Sequence, residues 1–311
     1  PNPYLCAALP SPEKVYGLSQ HLNHARRVTA AGLDLYHMPH FDVPYLYRGP
    51  LVVTIHDLIH LLFPEHSTKS FSKIYARFQI GRAVKQARRI ITVSENSRRD
   101  IERLFPEAVG RTRVLYPAAG PQFRVMTAEE KAPVLARHGL APGYILYVGN
   151  LRGSKNTPRL LKAYAAARAA VKELPPLVLA GLNTYSQYDA GWPEGVRYVG
   201  QVPGSDLPAL YGSASMFVFP SIYEGFGIPP LEAMWCGCPV LAARAGAVPE
   251  VCGDAALWFD AEGPATPAAA LARLLDEAGF ADTLREAGLA RAKLYCWDAA
   301  AKRLLELLEP R

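Results

Sequence analysis

Short apolar runs rich in β-branched residues alternate along the chain with longer segments whose apolar residues recur at helical spacing. That alternation predicts a parallel sheet covered by helices on both faces. In the first half the strand-like runs lie at 34–37, 51–55, 89–93 and 113–116, which is too few for a complete domain. The second half has runs at 144–148, 177–180, 196–199, 216–219 and 239–242, with helical patterns at 156–173, 205–214, 228–237 and 266–278. This is a complete doubly wound unit. Between the halves, 117–142 carries Pro, Gly and charged residues with little periodicity and reads as a linker at a domain boundary. The segment 297–308 is amphipathic and predicts a terminal helix. The expected organisation is therefore an incomplete first domain over 1–125, a second domain over 126–296, and a closing helix in 297–311 packing back on the first domain.

Size agrees with this division, because 311 residues at 50% hydrophobic composition exceed what one compact core usually holds. No apolar run reaches the ~18 residues of a membrane span, so the expectation is a soluble chain. Cys6, Cys236, Cys238, Cys252 and Cys296 form neither a paired framework nor a metal knuckle and are read as free thiols of a reducing, cytoplasmic compartment. The chain opens on Pro1 with no secretory pattern. The net charge of +6 is uneven, with 17 basic and 9 acidic residues up to 125 and 17 against 19 after it. A basic first half suits phosphorylated substrates or the anionic inner face of a plasma membrane, although solvated helix faces such as 72–89 account for such charge equally well. No nucleic-acid partner is expected.

The most informative stretch is 217–234, which reads FVFPSIYEGFGIPPLEAM. A buried strand ends at Pro220, a loop with two glycines follows, and Pro229 and Pro230 suit the first turn of a helix, where their missing N–H groups are not needed. The helix N-terminus thus faces the carboxyl edge of the sheet, and Gly225 and Gly227 let an anion approach its free N–H groups. Glu224 and Glu232 frame this anion site. Carboxylates beside a phosphate make electrostatic sense when each accepts hydrogen bonds from hydroxyls on either side of it. A nucleotide sugar has that layout, with sugar hydroxyls at one end, a diphosphate in the middle and ribose hydroxyls at the other.

The residues from Glu224 to Glu232 resemble the E-x7-E motif of retaining glycosyltransferases of family 4, which have the two-Rossmann-domain GT-B fold. The resemblance continues through YVGNLRGSKN at 147–156, RYVGQVP at 197–203, LPALY at 207–211 and AGAVPE at 245–250. In the first half DLYHMPH at 34–40, VTIHDL at 53–58 and ITVSENSRRD at 91–100 are similar to the mannosyltransferase-like branch. The implied fold is α/β, two doubly wound domains facing a cleft. A first domain of this type opens with a strand and a glycine-rich loop, and nothing of that kind precedes Asp34. The expectation is that about sixty residues are absent from it.

By this resemblance Glu224 takes donor-sugar hydroxyls, the amides of Phe226, Gly227 and Ile228 hold the diphosphate, and Glu232 takes the ribose. Gly149 ends a strand, and Lys155 matches the family lysine that neutralises the leaving diphosphate. Asn150 and Ser154 stand where relatives often carry a basic residue, and Arg152 is a candidate replacement. His56 matches the first-domain histidine that reaches across the cleft to the sugar, with Asp57 as helper or helix cap. His37 and His40 are candidates for the acceptor side, or ordinary strand-end residues. Ser94 and Asn96 either face the cleft or cap the helix beginning near Ser97. His56 and His60 have metal-like spacing, but His56 ends a strand, so no metal site is expected there, and the family uses no metal cofactor. The implied reaction moves a hexose, mannose from GDP-mannose first, to a hydroxyl of a glycan or lipid-linked acceptor. A UDP-sugar donor and a non-catalytic nucleotide-sugar-binding subunit are the alternatives.

Overall fold

A computed structural model describes residues 20–66, 72–151, 153–171, 173–185, 191–260 and 279–309. Cys6, Arg152 and the helix expected at 266–278 lie outside the described residues. The chain divides into two compact units, one made of 1–93, 97–115 and 303–311, the other of 94–96 and 116–302.

The first unit has a four-stranded parallel sheet of β1 (Tyr36–Met38), β2 (Leu51–Thr54), β3 (Arg89–Thr92) and β4 (Thr112–Val114), in that spatial order. All four residues of β2 are buried, as a strand covered on both faces requires. Side chains alternate between those faces. Leu51, Val53 and Ile90 enter a core with Ile80, Val84 and Ile101, from the helices Ser72–Gln86 and Glu95–Leu104. Val52 and Ile91 meet Leu304, Leu307 and Leu308 on the other face. Those leucines form one stripe of the helix Trp297–Leu308, which coincides with the helix expected at 297–308.

In the second unit six parallel strands lie in the order β10-β9-β8-β5-β6-β7. They are β5 (Ile145–Val148), β6 (Leu177–Ala180), β7 (Val196–Gly200), β8 (Met216–Phe219), β9 (Val240–Ala243) and β10 (Ala256–Phe259). From β5 the chain moves outward through β6 to β7, then returns to place β8 on the other side of β5. Strand order reverses there, opening a crevice at the carboxyl ends of β5 and β8, where sheets of this type bind ligands. Among the described residues, no helix is long and apolar enough to cross a membrane.

Several elements depart from the sequence expectation, the helices Val248–Cys252 and Phe280–Ala292 among them, and two are instructive. The segment 117–142, read as a linker, contains the helix Ala128–His138. A reciprocal capping box starts it, with the Glu130 amide donating to Thr127 Oγ1 at 3.3 Å and the Thr127 amide to Glu130 Oε2 at 2.8 Å. Gly139 ends it in the left-handed conformation, φ 61°. Pro133 removes one internal hydrogen bond, which obscures the helical pattern, but the caps and the burial of Val134 and Leu135 compensate. The second difference is β10, a four-residue edge strand that pairs with β9 and was not expected.

Candidate functional site

Glycines let the edge of the second sheet come together. Gly149 follows β5 and donates its amide to Ala180 O at 2.9 Å. Gly181 follows β6 at φ 142°, and a Cβ on it would lie 2.0 Å from the Gly149 carbonyl oxygen, so only glycine fits. The chain then makes a 3-10 turn, Gly153–Lys155, and Asn156, the one non-glycine among the described residues with positive φ, leads into the helix Thr157–Ala170. Asparagine tolerates that left-handed turn. Lys155 is thereby left at the mouth of the crevice, between a strand end and a helix start.

On the neighbouring strand β8, the loop after Phe219 leads into the helix Ile228–Trp235, with prolines in its first turn and Gly227 before it at φ 121°. The two loops are joined by the Ile222 amide donating to Ser154 O at 3.2 Å. Lys155 Nζ meets Glu224 Oε1 at 2.5 Å. Glu232, one turn into the helix, accepts from the Tyr211 hydroxyl at 3.1 Å. Burial raises the Glu232 pKa, and the bond from Tyr211 opposes that rise. The structure therefore brings Gly149, Lys155, Glu224, Gly225, Phe226, Gly227, Ile228 and Glu232 onto two adjoining loops and one helix start. Arg152 is outside the described residues. Ser154 is buried, Asn150 is exposed with its carbonyl accepting from Tyr147 OH, and the buried Ser221 hydroxyl beside the loop has no hydrogen-bond partner.

A third loop supports this arrangement, and its role was not read from the sequence. Gly246 has φ 54°, and a Cβ there would lie 2.7 Å from both the amide nitrogen and the carbonyl oxygen of Glu224. The Ala247 amide donates to Glu224 O at 3.1 Å. The AGAVPE segment after β9 thus fixes the backbone from which the Glu224 carboxylate projects. The signal in the sequence was a glycine just after a strand, whose contact lies more than twenty residues away. The Phe226 ring is buried edge-on against Tyr295 at 5.4 Å, with Tyr116 at 6.2 Å, which anchors the loop from below. Glu250 accepts from Tyr116 OH at 2.8 Å and from the amides of Glu95 and Asn96 at 2.7 and 3.0 Å.

In the first unit, four histidines cluster near the carboxyl ends of β1 and β2. His37 Nε2 pairs with Thr54 Oγ1 at 2.9 Å, and burial, then His56, lowers its pKa. His40 is lowered mainly by burial. His56 is exposed and its Nε2 lies 3.0 Å from Pro39 O. A carbonyl only accepts, so Nε2 carries a hydrogen in this contact. Asp57 Oδ1 accepts from the Ile59 amide at 3.0 Å, just ahead of the short helix Ile59–Leu62, whose cap position is Leu58.

Comparison with known proteins agrees with these features. A model described as Glycosyl transferases group 1 matches residues 136–291, and one described as Glycosyltransferase Family 4 matches 5–123. The chain belongs to the family 4 glycosyltransferases. This glycosyltransferase is 35% identical over 289 residues to the O-antigen chain mannosyltransferase B of Escherichia coli, covering 89% of this chain and 75% of that protein. It is 27% identical over 314 residues to the serotype-specific mannosyltransferase WbdA of Escherichia coli, 95% of this chain but 36% of that one. The chain thus spans about a third of WbdA. Anabaena HepE, solved with UDP and glucose, has a TM-score of 0.76 at 20% identity over 95% of this chain and 84% of that one, a likeness of fold. The fold is GT-B, and the relatives place this glycosyltransferase in the mannosyltransferase-like branch.

Proposed function

We propose that the chain transfers mannose from GDP-mannose, with retention of configuration, to a hydroxyl of a glycan or lipid-linked glycan. The observation that supports this reading best is the meeting of Lys155, Glu224, the start of the helix Ile228–Trp235 and Glu232 at the crevice between β5 and β8. The order of groups matches the order of parts in a nucleotide sugar. Glu232 accepts from the ribose hydroxyls, the helix start and Lys155 take the diphosphate, and Glu224 accepts from the sugar hydroxyls. The choice of mannose rests on the names of the relatives, not on the geometry.

In the reaction the bond from the sugar anomeric carbon to the phosphate oxygen breaks, and a bond to the acceptor oxygen forms on the same face. The acceptor proton passes to the departing phosphate oxygen. Negative charge grows on the diphosphate, and Lys155 and the helix start stabilise it most as it grows, which lowers the barrier rather than simply tightening binding. The reading asks for no metal. His56 is assigned the sugar-orienting role of its family position.

The first test is thermal stabilisation by GDP, UDP and ADP at matched concentration, since a ligand binding only the folded state raises stability by RT ln(1 + [L]/Kd). A shift with GDP supports the reading. A shift with UDP alone moves the donor to UDP-sugars, and binding without turnover across a range of acceptors leaves a non-catalytic subunit. Glu224→Ala is expected to abolish most transfer while nucleotide binding survives, and wild-type rates in that variant remove Glu224 from the site.

A further inference from the structure

The two opposite charges of the donor site neutralise one another. Lys155 closes the turn after β5, Glu224 lies in the loop after β8, and their side chains meet at 2.5 Å. They are 20% and 17% exposed, so the pair faces the crevice where a ligand can reach it. The backbones on both sides are held in place. Ser154 O accepts from the Ile222 amide, Glu224 O accepts from the Ala247 amide, and Gly246 packs against the Glu224 peptide. The pair therefore opens by rotation of two side chains, without movement of the loops.

We propose that the Lys155–Glu224 ion pair sets the preference of this site for the sugar-loaded nucleotide over the spent nucleoside diphosphate. The proposal rests on the roles assigned above to the two residues. An intact donor offers an anion to Lys155 and hydroxyls to Glu224 together, so each gains a partner when the pair opens. A nucleoside diphosphate offers only the anion. Taking Lys155 then leaves the Glu224 carboxylate without its counter-charge and close to a new negative group, which is unfavourable in a partly desolvated crevice. Both ligands draw Lys155 away from Glu224, but only the donor gives the carboxylate hydroxyl partners in return. After transfer the sugar departs, Glu224 loses its hydroxyl partners, and the pair re-forms, drawing Lys155 off the diphosphate and favouring its release.

The test is calorimetric titration of GDP, GDP-mannose and guanosine into the wild type, Glu224→Gln, Lys155→Met and the double variant. UDP and its sugar replace them if the wild type binds that base. Glu224→Gln is close in shape and is expected to bind GDP about two- to fivefold more tightly, the size of a partly exposed ion pair. It should bind guanosine unchanged and gain nothing for the intact donor. In the Lys155→Met background the gain should vanish, since no lysine remains to be released. Simple repulsion between Glu224 and phosphate predicts the same gain with or without Lys155, and that result overturns the proposal. So does unchanged GDP affinity in Glu224→Gln, which leaves the proposed function standing. A wild type that binds no nucleotide removes that function and the pair's role together. Melting of each variant without ligand identifies any that fail to fold, and Lys155→Gln then replaces Lys155→Met.

Discussion

Glu232 joins burial to chemistry in one side chain. Its pKa is raised by burial, so it takes up a proton at a higher pH than an exposed glutamate does. A ribose contact that accepts two hydroxyl hydrogens needs the ionised form, so GDP affinity should fall as pH drops through that raised value. The same shift acts on folding with the opposite sense. A raised carboxylate pKa contributes stability that is complete below the unfolded pKa and is lost as pH rises through the folded one. Titrating GDP from neutral pH into the mildly acidic range checks the first effect. Glu232→Gln should bind weakly and without this pH dependence, and an unchanged affinity contradicts the ribose role. Gly246 gives a second test, because its φ of 54° and the 2.7 Å approach to Glu224 both exclude a side chain. Gly246→Ala is expected to lose roughly 1–3 kcal/mol of stability. It should lower kcat at least tenfold with a smaller change in GDP affinity, whereas lowered stability with normal turnover would show that this loop does not position Glu224. Cys236, Cys238 and Cys252 are free thiols, as the sequence reading expects, and burial pushes Cys236 and Cys252 up to about 12, which keeps them protonated and unreactive.

Among the elements, the helix Ile228–Trp235 was legible because its signals are local: a glycine before it, prolines in its first turn and a buried strand just upstream. The helix Ala128–His138 lies in the segment that reads as a linker, although Thr127, Glu130 and Gly139 spell both of its caps. Pro133 and the charged residues masked its periodicity, and cap residues occur in many turns that lead to no helix. What makes it a helix is its packing on the rest of its own unit. Lys131 Nζ donates to Gly212 O at 2.9 Å, and Asp206 holds Arg137 at 2.8 Å and His138 at 2.9 Å. Thr127→Ala should therefore cost about 1 kcal/mol through the lost cap. Urea unfolding checks this, and an unchanged midpoint would mean that the tertiary contacts alone hold the helix. The edge strand β10 lacks a local signal for a related reason. A four-residue run of mixed burial has no period of its own, and pairing with β9 defines it.

The chain carries its net positive charge in its first 125 residues, 17 basic against 9 acidic, while the rest of the chain has 17 against 19. Part of that charge is compensated locally. Arg89, Arg113 and Arg303 line one cavity of the first unit together with Glu306 and Glu309. If the remainder serves a membrane surface, the protein should associate with anionic vesicles at low salt and leave them as salt rises, because screening shortens the reach of such charge to about 8 Å at physiological ionic strength. Association indifferent to both salt and lipid charge would remove that role. The fold class, most strands, the glycine-flanked helix start and both glutamates of the E-x7-E pattern could be read from the amino-acid sequence, since hydrophobic period, turn residues and motif spacing are encoded over a few neighbouring positions. The placement of β8 beside β5, the meeting of Lys155 with Glu224 across 69 positions and the packing of Gly246 against the Glu224 backbone could not. Strand order follows from how buried faces share one core, and contacts between distant loops exist only after that core has brought the strand ends together.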